Sequence, residues 1–559
     1  MSAEPLVDYG DGVTLERGVC LRLSDGTVLR SDHYYAAGGG KYPTLLMRQP
    51  YGRDIASTVV YAHPVWFARR GYNVVIQDVR GRGGSEGEFY PFRHEGRDGA
   101  ETIAWLRTRA ECNGRIGMYG FSYQGMTQLL AAAEQPEGLQ CIAPAMTAVD
   151  LYRGWFYHGG ALRLGSSLGW GLQMLKEDAV RRELHDARAK LQDAWTNLPA
   201  QSQALPYAAN PAITDERLPS YVRDWFAHDT PGEYWTAMDI SARAEKIAVP
   251  ALHVSGWYDT YLEGSVAGYE LLRKRSPARE QQYLLAGPWV HIPWGDRIGE
   301  TRLGDDALLD TDALLLRWFG HWLKDADTFA DEPRVRHFAL GANRWCVAED
   351  CRGSAMRTLY LHSGGRAESR KGNGVLSGVS ALAEPADVFV YDPEVPVGSP
   401  GSGVDHAAIE MGNNLLVYTG EPLGEAMHVF GRPEVAVYAK TSATHADLTA
   451  KLVRVLPGGR AEFCCIGIAR SSAIFAEYKA DAIHRWEFAL EPTSTVFAPG
   501  ERVRLEIAGG AFPLYDRNPS NATRPSEMSP WNWGRSTHMV YHDAEHASAL
   551  MLPVTEVTV

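Results

Sequence analysis

The sequence predicts an α/β fold, in which helices flank a mostly parallel sheet, followed by a separate antiparallel β domain. Three observations lead to this prediction. In residues 1–150, and again in 247–351, apolar runs typical of strands alternate with helical patterns. Between these two parts, residues 151–246 lack strand patterns and predict a helical insertion. In residues 352–559, short strand-like runs follow one another across turns that contain glycine or proline.

The elements of the α/β parts follow from apolar periodicity. A helix is expected at 98–109, and the first part contains the predicted strands 43–48, 72–78, 116–119 and 141–145. In the insertion, the charged and periodic stretch 175–195 predicts one helix of several turns. A late helix is expected at 313–323, and the second part contains the predicted strands 249–254 and 283–287.

The C-terminal region has the spacing of an antiparallel sandwich. Its runs are short and are separated by turns such as Pro457-Gly458-Gly459. The predicted strands of this region are 356–362, 388–391, 435–439, 452–455, 488–490 and 503–507.

Composition and charge exclude several classes of partner. The 559 residues are 45% hydrophobic and 10% aromatic, which is enough for several packed cores, and the net charge of −13 argues against nucleic acid. The chain has no run of about 18 apolar residues, and residues 1–10 lack the basic start and apolar core of a secretory signal. We therefore expect a cytoplasmic protein with no membrane and no nucleic-acid partner. Homo-oligomerisation is left open.

Cysteine and glycine patterns give no sign of a metal or a cofactor. The seven cysteines are odd in number and irregularly spaced, which predicts free thiols in a reducing compartment. No two cysteine or histidine pairs combine in the spacing of a zinc finger, and His542 with His546 is a lone pair, expected on an exposed helix or loop. The glycine cluster 81–87 has Glu86 where a dinucleotide-binding fingerprint has its third glycine. We expect no metal and no cofactor.

One serine lies between a predicted strand and a predicted helix. It is Ser122, in the segment 120–125 (GFSYQG), and apolar residues at three- and four-residue spacing after it indicate the helix. A strand–serine–helix turn exposes the hydroxyl for nucleophilic attack, which predicts a hydrolase. The second glycine comes one position later than in the general G-x-S-x-G pattern. The motif alone therefore leaves an ordinary turn open.

Two further residues complete a possible catalytic set. A serine nucleophile needs a base and a carboxylate that orients the base, and α/β-hydrolases supply them in the order serine, acid, histidine. Asp259 follows the run 249–254, and His291 follows the run 283–287. Each comes just after the carboxyl end of a predicted strand, where ligands bind in open α/β sheets.

Other candidates fit these roles less well. His253 lies inside a predicted strand and is expected in the core, while His63 and His321 have helical surroundings without an acid at a strand end. Asp78 ends a strand but precedes the serine in the chain. The arginines that follow Asp78 favour a structural ion pair over a catalytic role.

Six segments together resemble the bacterial cocaine esterase and X-Pro dipeptidyl-peptidase-like family of serine hydrolases, in which the late glycine of the serine motif is normal. They follow the family's order and cover nearly the whole chain: 48–53 (RQPYGR), 78–87 (DVRGRGGSEG), 120–125 (GFSYQG), 256–259 (GWYD), 287–291 (GPWVH) and 512–519 (FPLYDRNP). The resemblance implies an α/β-hydrolase core with a helical cap insertion and a C-terminal β jelly-roll domain.

The resemblance also implies the roles of individual residues. It makes Ser122 the nucleophile, Asp259 the orienting acid and His291 the general base. It further implies that the Tyr51 hydroxyl and the Tyr123 backbone N–H hold the oxyanion, where each fixed donor is worth about 3–4 kcal/mol. Without the resemblance, a half-buried structural aromatic is the better interpretation of Tyr51.

Aromatic residues near the strand ends are candidates for the substrate pocket, because an insertion at this point of the chain covers those ends. By resemblance, Trp155 and Trp170 align with tryptophans that line the acyl pocket of family members, and Tyr261 aligns with another aromatic there. Packing of the insertion against the core is the alternative role for these side chains. A pocket of this kind favours an apolar or aromatic acyl group.

The sequence thus predicts a serine carboxylic-ester or amide hydrolase that acts on a small molecule through an acyl-enzyme. Within the family, α-amino acid ester hydrolases or cephalosporin acylases and X-Pro dipeptidyl peptidases are alternatives. The first would need a signal peptide, and the last a large N-terminal helical domain. A carbohydrate-binding protein on an inactive hydrolase scaffold is an alternative from another class, against which the complete Ser, Asp and His set argues.

Overall fold

The computed structural model of the protein describes residues 6–54, 58–292 and 294–556. The first half of the segment 1–10, where no secretory signal is expected, therefore lies outside the described residues. In the described part of the chain, the first sheet has eleven strands. Their spatial order is Val7–Asp8, Thr14–Arg22, Val28–Tyr35, Asn73–Asp78, Tyr42–Gln49, Cys112–Phe121, Leu139–Ala145, Ala251–Gly256, Gln282–Gly287, Val335–Ala339 and Arg344–Ala348.

The middle of this sheet is parallel, as predicted. Seven neighbouring strands, from Asn73–Asp78 to Val335–Ala339, pair in parallel, and antiparallel strands extend both edges. The earliest of the seven in the chain, Tyr42–Gln49, has Asn73–Asp78 on one side and Cys112–Phe121 on the other. The strand order therefore reverses beside Tyr42–Gln49, and the carboxyl ends at such a switch point form the usual ligand crevice of an α/β sheet.

Helices cover both faces of the parallel strands. The predicted helix at 98–109 is present as Glu95–Arg107, and the one at 313–323 as Thr311–Lys324. The remaining α-helices of this part are Pro64–Ala68, Tyr123–Ala133 and Leu262–Arg275. Burial on both faces explains why the central strands are almost continuously apolar in sequence.

The inserted region contains mainly helices, as expected. It includes a hairpin of two-residue strands, Tyr157–His158 and Ala161–Leu162, although no strands are expected there. Its α-helices are Leu164–Arg181, His185–Thr196, Leu198–Gln203, Tyr221–Ala227 and Glu233–Thr236, and its other helical turns are Tyr152–Phe156, Tyr207–Ala209 and Ser241–Lys246.

The prediction of one helix over 175–195 is wrong. The first helix ends at Arg181, Glu183 takes a left-handed φ of 57°, and a new helix begins at His185. The Leu184 N–H donates to the Ala179 carbonyl at 2.9 Å, which closes the first helix as a Schellman-type turn. Neither glycine nor proline marks the break, and the helical period continues across it.

The C-terminal strands form a second, mainly antiparallel sheet system. The main path runs Asp387–Tyr391, Ser536–Tyr541, Glu434–Thr441, Ala549–Thr555, Ala355–His362, Val375–Ser377, Leu415–Gly420, Arg502–Ala508, Asp447–Val455 and Ala461–Arg470. Met427–Gly431, His484–Ala489 and Thr493–Phe497 branch from it. All six strands predicted from the sequence are present in lengthened or shifted form. The jelly-roll connectivity and the division of the chain at residues 150, 246 and 351 stay predictions.

Buried polar contacts join the C-terminal region both to the insertion and to the first sheet. Arg163, just before the helix Leu164–Arg181, donates to Glu491 of the C-terminal region at 2.9 Å, and both side chains are almost fully buried. Ser494 lies 2.9 Å from ring nitrogens of both His337, in the first sheet, and His428, in the second. Among the residues that the structure describes, no helix has the length and apolar composition needed to cross a bilayer.

Candidate active site

Ser122 occupies a strained turn at the carboxyl end of the strand Cys112–Phe121. Its φ of 60° and ψ of −125° lie outside the regions that ordinary L-residues prefer, at a cost of about 1–3 kcal/mol. Two backbone hydrogen bonds keep Ser122 in this conformation. Its N–H donates to the Ala145 carbonyl at 2.8 Å, and its carbonyl accepts from the Gly125 N–H at 2.9 Å. This is the geometry of a nucleophile elbow.

Close packing explains the late glycine of the motif. A Cβ atom on Gly125 would lie 2.8 Å from the Thr147 Cβ and 3.0 Å from the Ala145 carbonyl oxygen, so that only glycine fits. Gln124 occupies the position of the usual second glycine, and its Oε1 accepts from the Phe121 N–H at 3.2 Å. The departure from the general pattern is therefore a structural property of this elbow.

The side chain of Tyr123 anchors the elbow from below. Its hydroxyl donates to Glu95 Oε1 at 2.7 Å and accepts from the Phe92 N–H at 3.0 Å. Glu95 in turn pairs with buried Arg48 at 2.9 Å, and burial raises the pKa of Glu95. The phenol thus points into the core. The Tyr123 N–H begins the helix Tyr123–Ala133 and has no intrahelical acceptor, so it is available beside Ser122.

Asp259 and His291 meet just after the strands Ala251–Gly256 and Gln282–Gly287. His291 Nδ1 lies 2.8 Å from Asp259 Oδ1, and the Asp259 side chain is fully buried. Their loops are fixed together by the Tyr258 N–H, which donates to the Trp289 carbonyl at 3.1 Å. A Cβ on Gly256 would lie 2.3 Å from that carbonyl oxygen, which explains the glycine before the acid.

Tyr51 follows the strand Tyr42–Gln49 and faces Ser122. Its hydroxyl accepts from the Trp170 indole N–H at 3.2 Å, and it lines the same cavity as Ser122. Burial raises the pKa of Tyr51 to about 12, although the hydrogen bond from Trp170 opposes that shift. The phenol therefore keeps its proton at neutral pH and can act as a hydrogen-bond donor.

These side chains meet at one cavity of about 530 Å³ between the strand ends and the insertion. Among the described residues, its lining consists of Tyr51, Val59, Phe121, Ser122, Gln124, Ser166, Gly169, Trp170, Gln173, Trp195, Thr260, Tyr261, His291 and Ile292. Five of the eight site residues predicted from the sequence therefore line this cavity: Tyr51, Ser122, Trp170, Tyr261 and His291. Asp259 lies behind His291, and Tyr123 contributes its backbone N–H beside Ser122.

Trp155 is placed differently from the prediction. It is buried and is not among the described residues that line the cavity. Its ring stacks on Tyr261, with centroids 4.1 Å apart, and packs against Trp170 at 5.7 Å. In this structure Trp155 therefore supports two wall residues from behind instead of forming the wall itself.

The sequence did not single out several wall residues. Val59, Trp195 and Ile292 are apolar side chains that stay 50%, 42% and 47% exposed, and Gln173 adds a polar group. Only one sequence feature places Ile292 near the site: it directly follows His291, the predicted base. Trp195 lies at the end of the second helix produced by the unexpected break, and no local pattern places it near Ser122.

The other side chains considered for these roles lie elsewhere. His253 is buried and contacts Gln282 at 3.2 Å, as expected for a core residue. Asp78 forms the expected ion pair, but with Arg53 at 2.5 Å instead of the arginines that follow it. Those arginines turn away from Asp78, since Arg80 pairs with Asp98 at 2.7 Å and Arg82 with the insertion.

A somewhat larger cavity of about 640 Å³ lies between the insertion and the C-terminal strands. The three arginines among its described wall residues are already paired with carboxylates: Arg470 with Asp516 and Arg524 with Asp229, each at 2.8 Å, and Arg153 with Asp150 at 3.1 Å. None of the eight site residues predicted from the sequence is among its described wall residues. The candidate active site is therefore the smaller cavity at the strand ends, because Ser122 and His291 lie on its wall.

The parallel sheet with its switch-point crevice, the strained serine elbow and the acid–histidine pair define an α/β-hydrolase. The family description "X-Pro dipeptidyl-peptidase (S15 family)" matches residues 25–293, and "X-Pro dipeptidyl-peptidase C-terminal non-catalytic domain" matches 327–551. The chain is 31% identical to the cocaine esterase of Rhodococcus sp. (strain MB1 Bresler), over 96% of this chain and 98% of that one. It belongs to the cocaine esterase and X-Pro dipeptidyl-peptidase-like family of serine hydrolases.

More distant relatives agree with this assignment. A putative serine esterase of Mycobacterium bovis is 26% identical, over 88% of this chain and 84% of that one. Two solved structures share the fold at 23% identity. An α-amino acid ester hydrolase has a TM-score of 0.82, with 99% of this chain and 98% of that one covered. An aminopeptidase from a Thaumarchaeota archaeon has a TM-score of 0.83, with 100% and 98% covered.

Proposed function

We propose that the protein hydrolyses carboxylic esters, or amides, through an acyl-enzyme on Ser122. His291 Nε2 accepts the serine proton as Oγ attacks the acyl carbonyl, while Asp259 accepts the Nδ1–H and fixes the tautomer. The Tyr51 hydroxyl and the Tyr123 N–H donate to the oxyanion that forms. His291 then protonates the departing alcohol or amine, and water attacks the acyl-enzyme by the same route to release the acid.

One observation carries this proposal. Ser122, held in an elbow at φ 60°, opens on the same cavity as His291, whose Nδ1 lies 2.8 Å from the buried Asp259 carboxylate. A buried carboxylate that fixes one ring nitrogen leaves the other free to accept a proton. This arrangement has a clear chemical use only if a nucleophile lies on the far side of the ring.

The uncharged wall of the cavity favours a substrate with a neutral acyl group. No carboxylate, ammonium or guanidinium group occurs among its described residues, and residues 55–57 and 293, outside the described ranges, have uncharged side chains by sequence. Trp170 and Tyr261 present aromatic surface beside Ser122. Such a wall favours an apolar or aromatic acyl group, as contact with a ring of this size is worth about 1–3 kcal/mol.

The same neutrality argues against the two alternatives within the family. Substrates of α-amino acid ester hydrolases and of X-Pro dipeptidyl peptidases carry an ammonium group near the scissile bond. A buried ammonium group without a counter-charge loses hydration that nothing replaces. A cytoplasmic location, proposed from the cysteine content, and a homo-oligomer remain predictions.

Kinetics of three variants test the mechanism. Ser122→Ala, His291→Ala and Asp259→Asn are each expected to lower turnover of an aryl ester by about 10⁴-fold, because the three groups act as a unit. His321→Gln is the matched control, since His321 lies on the helix Thr311–Lys324 and does not line the cavity. If His291→Ala retains more than a tenth of the control's activity, the proposed base is wrong.

A matched substrate pair tests the acyl preference. The methyl esters of phenylacetic acid and of phenylglycine differ only in the α-ammonium group, so their kcat/KM ratio isolates the effect of that charge. We expect the neutral ester to be favoured by at least about 100-fold. A preference for the phenylglycine ester would instead indicate an α-amino acid ester hydrolase.

A further inference from the structure

The indole of Trp170 contacts the group proposed to hold the oxyanion. Its Nε1–H donates to Tyr51 Oη at 3.2 Å, and Tyr51 lines the same cavity as Ser122. An indole N–H can only donate, so it must occupy a lone pair of the phenol oxygen. The phenol proton then points away from the indole and is left to donate elsewhere.

The indole is itself held in place by aromatic packing. Its ring lies parallel to that of Trp225, with centroids 5.4 Å apart and an interplanar angle of 4°. Phe92 packs against it at 5.8 Å and Trp155 at 5.7 Å. Because three rings fix its plane, the direction of the indole N–H is set before a substrate binds. Preorganised donors of this kind need no reorientation during the reaction.

We propose that Trp170 is a positioning residue that orients the Tyr51 hydroxyl toward the oxyanion, in addition to forming part of the acyl pocket. This proposal rests on the proposed function. One consequence concerns substrates: an acyl group that packs on the indole face touches the side chain that aims the oxyanion donor. The size of the acyl group therefore affects kcat as well as KM.

A double-mutant cycle on kcat for p-nitrophenyl acetate tests the proposal, because the small acetyl group makes little use of the indole face. Trp170→Phe keeps a ring but removes the N–H, and it is expected to lower kcat about 5- to 10-fold with little change in KM. In a Tyr51→Phe background the same substitution is expected to change kcat less than twofold, since no hydroxyl remains to be oriented. Multiplicative losses in the double variant would overturn the positioning role.

Two controls separate packing from orientation. Trp195→Phe alters another aromatic ring of the cavity wall, one that packs on neither Trp170 nor Tyr51 among the described residues, and its effect should multiply with that of Tyr51→Phe. Trp170→Leu lacks the N–H as well and serves if Trp170→Phe fails to fold. It should show the same dependence on Tyr51, and full independence from Tyr51 in a folded Leu variant would also overturn the proposal.

Ser122→Ala distinguishes this proposal from the proposed function. If Ser122→Ala is inactive and the two losses multiply in the double variant, only the role of Trp170 fails. If Ser122→Ala retains normal turnover, the acyl-enzyme mechanism itself fails.

Discussion

The buried ion pair beneath the serine elbow predicts a large loss of stability for Glu95→Gln. Arg48 and Glu95 are 0% and 3% exposed, and the carboxylate both pairs with Arg48 Nη1 at 2.9 Å and accepts from the Tyr123 hydroxyl at 2.7 Å. Removing the carboxylate leaves a buried guanidinium without its counter-charge. Such a change costs about 3–5 kcal/mol, whereas replacing both partners with apolar residues is often nearly neutral.

Differential scanning calorimetry checks this magnitude. At about 2 °C per kcal/mol for a large domain, Tm should fall by about 6–10 °C in Glu95→Gln. Glu137→Gln is the matched control, because Glu137 pairs with Arg107 on the same helix as Glu95 but its side chain is 77% exposed. Exposed pairs contribute about 0–1 kcal/mol, so the control should stay within about 2 °C of the parent protein.

The prediction also has a functional part. Tyr123 loses its charged acceptor in Glu95→Gln, and its N–H is the proposed second oxyanion donor, so kcat for an aryl ester should fall below the parent value at temperatures where the variant is folded. The double variant Arg48→Met/Glu95→Leu should recover most of the lost Tm. Equal Tm values for Glu95→Gln, Glu137→Gln and the parent would refute the argument that this pair stabilises the elbow.

Two more predictions concern the acyl pocket and pH. Tyr261→Leu should raise KM for phenyl benzoate relative to phenyl acetate by about 5- to 150-fold, because only the benzoyl ring uses that contact; an equal effect on both esters would remove Tyr261 from the pocket. Burial raises the pKa of Asp516 to about 6 despite its pairing with Arg470, so its contribution to stability is present below about pH 4 and is lost as pH rises through 6. Between pH 4.5 and 7 the Tm of the parent should therefore fall relative to that of Asp516→Asn, and parallel Tm curves would contradict the assignment.

The sequence was most informative where local chemistry and strand order act together. The elbow at Ser122 was predictable because one strand, one serine and one helical period are adjacent in the chain. Asp259 and His291 were predictable as candidates because each follows a strand, and parallel strands bring their carboxyl ends to one edge. The contact between them, at 2.8 Å, needs the pairing of two loops across Gly256, which no local pattern encodes.

Other features depended on tertiary contacts that sequence patterns do not carry. The break at Glu183 lies in an uninterrupted helical period, so the prediction of one helix failed there. Resemblance placed Trp155 on the pocket wall, but the stacking of Tyr261 in front of it moves it one layer back. The uncharged cavity wall, which carries the argument about substrates, is assembled from segments more than two hundred residues apart.

Covalent labelling tests the central claim most directly. A fluorophosphonate forms a stable bond only with a serine activated as a nucleophile, and peptide mass spectrometry identifies the residue that carries it. The proposed mechanism predicts one label per chain, on Ser122, with complete loss of esterase activity and no labelling of Ser122→Ala or of unfolded protein. Full esterase activity in protein labelled at Ser122, or inactivation with the label on another residue, would contradict it.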